Sequence, residues 1–451
     1  MAFDPLRGAY CWGQTIMKSF LHKTAVLINE SVATVRLYPV MNALNFFVVA
    51  FGLFVTCFPE SHPLHQEPRV TVQYNNSVEF LCVILSKTSA FAMYVPMISV
   101  FLTKCKALVN FARLTPFHLW LSMDSFDEHS FHVFCGKMIS FSSTIHTVFH
   151  IIRWGLQRNL GLLISERTGV TGMFAVLFLM MVLLPMTLFR TSMDYEVRKM
   201  LHYLFFPFGI SLACHAPSDV SFAAHVLSFC IILYSLDSFY VWMFMTEHIR
   251  TTSFHVLDCG VQLSMPVSDT VLKRYEVGRG GYVYVNIPWI SKYEWHPFSV
   301  YDDPDGSNKR NIFIYRAGDW SKAVHDSLTV DTSRPVWLQG PFHSPFGSAV
   351  GFDNHILVAT GIGITPAIST INALKEHKIM NLIWMTHDPE LVEFYLAQHT
   401  LQDHSFNIIY YSGGLQGKRD IDEKILRQAK NVTIIKGFAQ MENLIPQVIP
   451  V

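Results

Sequence analysis

Four histidines fall in two apolar stretches at nearly matched spacings, His132 with His146 and His202 with His215. An ionisable side chain is costly in hydrocarbon, so intramembrane histidines are functional candidates by default. Two imidazoles on each of two such stretches have the pattern of axial ligands for two stacked b-type haems. His132 and His146 are 14 residues apart, about 21 Å of helix and nearly four turns, so both leave the same face at different depths. That suits one haem near each leaflet of a hydrocarbon core about 30 Å thick. The second pair is 13 residues apart, about 19.5 Å, and in an ideal helix its members would point roughly 140° apart. Pro207 and Gly209 lie between them, which predicts a distorted helix there. Any one of these histidines alone reads as a buried group satisfied by hydrogen bonds; as a set of four they lack other partners in hydrocarbon. His118, His129 and His225 belong to no such pair and read as loop or interfacial residues.

The elements that would position these residues follow from hydropathy. The chain has 451 residues, 51% hydrophobic and 15% charged, with the apolar surplus in its first half, so a membrane bundle followed by a water-facing part is expected. Spans are expected at about 38–57, 80–102, 132–152, 171–189, 202–217 and 220–236 on length and hydropathy. Arg7, Lys18, Lys23 and Arg36, then Lys104, Lys106 and Arg113, then Arg190, Arg198 and Lys199 fall on one side. The alternate loops hold only Arg69, Arg153, Arg158 and Arg167, which places both termini in the cytosol. The sequon Asn75-Asn76-Ser77 falls in the first outer loop, where glycosylation would require it. No cleavable signal peptide is expected, because the first apolar run starts too late. Zero net charge argues against nucleic acid as a partner. The eight Cys include no CxxC, against a structural zinc site and against c-type haem. Cys57 and Cys82 flank the first outer loop as either a disulfide or two core thiols.

From about residue 249 the pattern changes to short alternating strands such as Gly281-Tyr-Val-Tyr-Val-Asn-Ile287, the habit of a small antiparallel barrel. After residue 350 the run His355-Ile-Leu-Val-Ala359 enters Thr360-Gly-Ile-Gly-Ile-Thr-Pro366 and then a helical stretch, Ala367 to His377. Strand, glycine turn and helix make a phosphate cradle, since glycine allows close backbone approach and a helix N-terminus favours anionic charge. The expected division is a cytosolic lead at 1–37 without a calcium loop, a dihaem membrane domain at 38–247, a flavin barrel at 248–348 and a nucleotide domain at 349–451.

His296-Pro-Phe-Ser299, Gly340-Pro-Phe342 and Gly361-Ile-Gly-Ile-Thr-Pro366 occur in this order downstream of the histidine stretches. With Ser143-Thr-Ile-His-Thr-Val-Phe-His150, Lys292-Tyr-Glu-Trp-His296 and Gly318-Asp-Trp-Ser321, the chain resembles the NADPH oxidase branch of the ferric reductase superfamily from about residue 80 to 436. The resemblance implies a multi-domain membrane protein: a six-helix transmembrane bundle, an antiparallel β-barrel for FAD and an α/β Rossmann-like nucleotide domain. It implies that NADPH reduces FAD, which passes single electrons through an inner and an outer haem to an acceptor outside the cell. His132 and His202 would then ligate the inner b-type haem, and His146 and His215 the outer one. Lys87 stands where the family has an arginine beside the outer haem, and His150 lies one turn beyond His146. Both would act on oxygen there, since a cation stabilises superoxide as it forms; for Lys87 the alternative is a snorkelling residue. His296, Pro297, Phe298 and Ser299 would hold the flavin, and Arg316 the FAD diphosphate, although an ungapped alignment puts Tyr315 there. Trp320 reads as barrel core rather than ligand.

By the same resemblance Gly340, Pro341, Gly361, Gly363, Thr365 and Pro366 would cradle NADPH. The family's arginine for the 2'-phosphate is replaced by His387, and Lys418 and Arg419 are the substitutes. In place of the family's Cys-Gly pair the chain has Ile435-Lys-Gly-Phe438. The 13-residue spacing of the second pair is the oxidase habit, so the implied product is superoxide. A ferric-chelate reductase with the same electron path is the alternative, favoured by the short outer loop at 216–222. A membrane cytochrome b served by a separate reductase is a second. A multi-pass protein of the plasma membrane, in contact with lipid and with a regulatory or stabilising membrane subunit, completes the expectation.

Overall fold

In the computed structural model the described residues are 39–58, 74–113, 129–215, 222–266, 281–303, 309–342, 344, 346, 353–398, 405–429 and 431–439. The expected lead at 1–37 and the outer loop at 216–222, save Phe222, lie outside them. The chain divides into one unit of residues 1–105 and 115–236 and another of 106–114 and 237–451.

The first unit is helical. Helix α1 is Pro39–Cys57 and α2 is Ser77–Leu102. Asn76 starts α2 by accepting from the backbone N–H groups of Val78 and Glu79 at 3.0 and 2.9 Å, while the Glu79 carboxylate accepts from Asn75 N–H at 2.8 Å. The Asn76 side chain thus satisfies two of the otherwise orphaned N–H groups of the first turn. After α3 (Lys106–Arg113), which groups with the second unit, come α4 (His129–Leu156), α5 (Arg167–Met186), α6 (Tyr195–His202), α7 (Phe205–His215) and α8 (Phe222–Phe244). Met97 and Phe101 of α2, Ile139 of α4, Leu179 of α5, Phe208 of α7 and Leu227 of α8 share one apolar core. Phe46, Phe47, Phe174 and Phe239 are exposed instead, as side chains against lipid would be.

Four helical segments are long and apolar enough to cross a membrane: Val40–Cys57, Ser77–Leu102, Arg167–Met186 and His225–Phe244. The other two expected spans are helical but outside that class. In α4, Lys137 and four histidines dilute the apolar run. The fifth expected span is two short helices, broken at Tyr203–Leu204. Pro207 has no N–H for the Tyr203 carbonyl four residues back. The chain tightens there into three-residue turns, Tyr203 N–H to Met200 O, Leu204 N–H to Leu201 O and Phe206 N–H to Tyr203 O, each 3.1 Å. The distortion expected between His202 and His215 is therefore present, on the N-terminal side of the proline. The last helix runs to Phe244, past the expected end at 236. Cys57 and Cys82 are free thiols.

In the second unit seven strands, β1 (Thr246–Leu257), β2 (Gly260–Pro266), β3 (Tyr282–Asn286), β4 (His296–Ser299), β5 (Tyr301–Asp302), β6 (Lys309–Tyr315) and β7 (Thr332–Phe342), form an antiparallel sheet in the order β4-β3-β7-β1-β2-β6-β5. The two end strands are neighbours in sequence, separated only by Val300, so the sheet curls back on itself as a near-barrel. Val261, Leu263, Val283, Val285, Ile312 and Val336 fill its inside. Helix α9 (Asp319–Asp326) lies between β6 and β7 in sequence. Then β8 (Asn354–Thr360), α10 (Ile364–Leu374), β9 (Ile379–Thr386), α11 (Pro389–Gln398), β10 (Asn407–Tyr411), α12 (Glu423–Gln428) and β11 (Val432–Lys436) build a parallel sheet in the order β11-β10-β9-β8. Helix α10 starts at Ile364, three residues before the expected Ala367, directly after the glycine turn. Helix α3 joins this unit through Asp237, whose carboxylate accepts from Leu108 N–H at 2.7 Å, and through Asn110, which donates to the Pro341 carbonyl at 3.2 Å.

Candidate functional site

The helices bring the four histidines together as two pairs. The ring centres of His132 and His202 are 6.0 Å apart, and those of His146 and His215 are 5.9 Å apart. A metal about 2 Å from each of two coaxial imidazole nitrogens places the ring centres roughly 6 Å apart, so both pairs fit an iron between them. Hydrogen bonding fixes which nitrogen is free. His146 Nδ1 lies 2.8 Å from the Ser86 carbonyl, which can only accept, so the proton is on Nδ1. His132 Nδ1 is 2.9 Å from Thr103 Oγ1, whose own proton goes to Val100 O. His215 Nδ1 is 3.3 Å from Thr171 Oγ1, which donates to Arg167 O. In all three the Nε2 lone pair is left for a metal, the arrangement by which a neighbouring acceptor orients a ligating imidazole. His202 departs from this: its Nδ1 is buried with no partner among the described residues.

His202 and His215 lie on either side of the break, each against a different histidine of α4. Because α6 and α7 are separate, the 140° offset expected of an ideal helix does not apply. Beside the His146–His215 pair, the His150 ring lies 4.6 Å from His146 and within electrostatic reach of Lys87 and Arg153. Arg153 was not singled out by sequence, since it reads there as one more loop charge.

In the near-barrel, His296-Pro-Phe-Ser299 is the edge strand β4, paired with β3 from Val285–His296 to Tyr282–Ser299. Trp320 stacks on His296 at 4.0 Å and on Phe298 at 6.0 Å. It also packs against the barrel core, so it is both core and the platform of the motif; its indole N–H is buried without a partner. Stacked aromatic surface with an unsatisfied donor is chemistry suited to a planar heteroaromatic ring. Arg316 is ion-paired with Asp326 at 3.0 Å. Tyr315 donates to Asp388 Oδ2 at 3.0 Å, and burial together with the Asp388 charge pushes its hydroxyl up to about 12.

At the parallel sheet, Gly361–Gly363 forms a single 3-10 turn leading into α10. Gly361 has φ of 49°, a left-handed conformation that side chains resist, and its carbonyl accepts from Trp384 Nε1 at 2.9 Å. The Thr365 hydroxyl is turned inward, 3.1 Å from Ile362 O and 2.9 Å from Tyr395 O–H, leaving backbone rather than hydroxyl to face a phosphate. Pro366 follows in the first turn of α10, and Gly340-Pro341 ends β7. The expected phosphate-reading cations are engaged: Lys418 with Asp388 at 3.5 Å, and Arg419 with both oxygens of Glu393 at 2.5 and 2.8 Å. The Arg419 hydrogen bonds hold the Glu393 carboxyl below the usual range. His387 is half-buried at the end of β9.

Residues 252–359 match the model of an FAD-binding domain family. The chain is 25% identical over 265 residues to ferric reduction oxidase 2 of Arabidopsis thaliana, covering 56% of this chain and 35% of that protein. It is 25% identical over 304 residues to a superoxide-generating NADPH oxidase heavy chain of Dictyostelium discoideum, covering 55% and 42%. It is 24% identical over 260 residues to human NADPH oxidase 3, covering 47% and 45%. The chain thus spans less than half the length of each of these relatives, whose names divide between iron and oxygen chemistry.

Proposed function

From a chain that belongs to the ferric reductase and NADPH oxidase superfamily and contains an FAD-binding domain, we propose a flavin-dependent oxidoreductase that moves electrons from cytosolic NADPH across a membrane to oxygen, releasing superoxide. FAD, when bound, would turn a hydride into single electrons, and two b-type haems would carry them through the hydrocarbon. His132 and His202 would hold the inner haem and His146 and His215 the outer one. Thr103, Ser86 and Thr171 keep Nε2 unprotonated at three of these positions. In this reading α4 and the broken α6–α7 segment join the four apolar helices as six crossings, with both termini cytosolic. His296–Ser299 with Trp320 would seat the flavin ring, and Gly361, Gly363, Gly340 and Pro341 would let the dinucleotide approach the backbone. With two imidazoles held on each iron no position would be left open there, so the acceptor would meet the outer site at its edge, where Lys87 and His150 stand. The domain limits 38–247, 248–348 and 349–451 belong to the same proposal.

The observation that carries this reading is that His132 and His146 of α4, 14 residues apart, each face one imidazole of the broken α6–α7 segment. Mixing anaerobic, FAD-supplemented protein with NADPH tests it. The haem bands should reduce, and oxygen should reoxidise them with superoxide release. Preferential reoxidation by a ferric chelate would replace the oxidase with a ferric reductase, a reading supported by the divided names of the relatives. Haems that dithionite reduces and NADPH does not would overturn self-sufficiency in favour of a cytochrome b served by another reductase.

A further inference from the structure

We propose that Gln262, Tyr301 and Tyr395 are positioning residues for hydride transfer: with Thr365 they form a buried hydrogen-bonded chain that ties the glycine turn to the strand beside His296-Pro-Phe-Ser299. This rests on the FAD and NADPH sites proposed above. Every proton in the chain can be placed. The Ile362 carbonyl only accepts, so the Thr365 hydroxyl donates to it at 3.1 Å. Having spent that proton, Thr365 Oγ1 accepts from the Tyr395 hydroxyl at 2.9 Å. Tyr395 is then left to accept from the Tyr301 hydroxyl, whose own oxygen accepts from Gln262 Nε2 at 3.1 Å. The chain therefore runs one way, from β2 through β5 and α11 to the first turn of α10.

All four side chains are buried, and Tyr301 and Tyr395 belong to the same apolar core as Ile364, Ile368 and Trp384. Hydroxyls in such a core carry a desolvation cost that phenylalanine would avoid, and a buried network satisfied at every member fixes one arrangement of the elements that hold it. A second tie secures the other end of the turn. Trp384 donates to the Gly361 carbonyl at 2.9 Å, and its ring meets that of Tyr395 edge-on at 6.2 Å. Tyr301 lies two residues past Ser299, so the turn that would take the dinucleotide phosphates is fastened to the edge of the barrel that would take the flavin. Hydride transfer moves two electrons and a proton from NADPH to the flavin and breaks no bond in the chain. Its rate depends on how the two rings are held, and a misplacement of about 1 Å can cost about 100-fold. Because the chain already turns the Thr365 hydroxyl inward, its loss acts on alignment more than on affinity.

The test uses full-length protein loaded with haem and FAD, with Tyr395→Phe, Tyr301→Phe and the double variant. Thr370→Val is the control, because it removes a buried hydroxyl of the same helix α10 that donates within that helix, to Pro366 O at 2.9 Å. Rapid anaerobic mixing with NADPH separates the rate of flavin reduction at saturation from the half-saturating concentration. Each single variant should reduce its flavin about tenfold more slowly at saturation, with half-saturation within about twofold of the parent. The double variant should be no slower than either single one, since one break opens the whole chain. Amide hydrogen exchange at residues 361–365, followed with no dinucleotide present, should quicken about tenfold in all three and stay at the parent's rate in Thr370→Val. An effect of Tyr395→Phe with none of Tyr301→Phe would overturn the link to the barrel. Parental rates and exchange with a lower thermal midpoint would assign the tyrosines to the fold alone, and an equal effect of Thr370→Val would assign the change to α10 as a whole; either result overturns the proposal. Failure of NADPH to reduce the parent's flavin would count against the function proposed above, and exchange at 361–365 would still decide the chain.

Discussion

The imidazoles of the helical unit and the cations of the parallel-sheet region end in opposite surroundings. His132, His146, His202 and His215 face one another, with three of the four Nδ1 atoms engaged in a way that frees Nε2. Lys418 and Arg419, by contrast, are each held by a carboxylate of their own unit, Asp388 and Glu393. The difference is one of solvent. Hydrocarbon offers a polar side chain almost no partners, so each of these imidazoles faces a second histidine and three of them meet a carbonyl or hydroxyl of a neighbouring segment. At a water-facing surface a cation finds an acid within reach, and such a pair contributes about 0–1 kcal/mol. Those cations are therefore weakly committed, and position in the sequence says less about their use.

If the comparison holds, the largest effect comes from removing one imidazole. His146→Leu should lower bound haem from two per chain to one and reduce NADPH-driven electron delivery to the far side by more than about 100-fold, because the iron would lose one of its two axial imidazoles. Pyridine haemochrome analysis against protein concentration reads the stoichiometry. A variant that keeps both haems would end the pairing of His146 with His215. Next in size is the glycine turn. Gly361 has φ of 49° and open space around an added Cβ, so Gly361→Val acts through backbone strain, not collision. The left-handed conformation costs a residue with Cβ about 1–2 kcal/mol. We expect about 5–30-fold weaker NADPH use with dithionite reduction unchanged; stopped-flow traces with both reductants decide. Equal loss with dithionite would show that the change reaches the helices.

A smaller effect is expected one layer out from the histidines. Thr103→Val keeps the shape of the side chain but leaves His132 Nδ1–H without its 2.9 Å acceptor. Changing such supporting partners typically costs about 10–100-fold in metal affinity, and the low end applies where a second ligand, His202, remains. Haem transfer to apomyoglobin should accelerate about tenfold for one haem only. Acceleration of both, or of neither, would remove the hydrogen bond from the account.

How far the sequence could be read follows the same division. The spacing from His132 to His146 and the turn Gly361-Ile-Gly363 are local patterns, and the helix face and the strand-turn-helix that they imply are both present. The proline signalled a distortion, and the break sits at Tyr203–Leu204 because the Tyr203 carbonyl, with no donor four residues on, takes Phe206 N–H at 3.1 Å instead. Contacts between distant segments were not legible. Trp320 reaches β4 from a helix more than twenty residues on, and Arg419 meets Glu393 across 26 residues. Arg153 looked like a loop charge because hydropathy ends a span where a helix still continues, here to Leu156.

The smallest effect should come from the ion pair that most separates the two regions. Glu393 accepts two hydrogen bonds from Arg419 and a third from Asp422 N–H at 2.8 Å. Its carboxyl is thereby held below the ordinary range, the Arg419 hydrogen bonds being the first cause. A carboxyl whose folded value is depressed stabilises the fold fully above its unfolded value, near 4.3, and loses that contribution as pH falls through the folded value. Glu393→Gln removes the pair at every pH. The thermal midpoint of the variant should therefore lie slightly below the parent's at pH 7, and the gap should close as the pH drops below about 4. The same substitution releases the Arg419 guanidinium, which can then meet a 2'-phosphate bidentately. The KM for NADPH should fall about threefold while that for NADH stays fixed, a difference worth under about 1 kcal/mol and in keeping with an exposed pair. A gap that persists at low pH would assign the stabilisation to packing rather than charge. An unchanged NADPH preference would mean that Arg419 serves the fold alone, which would leave the water-facing cations as structural residues and the histidines as the only part of the expected site whose surroundings compel a use.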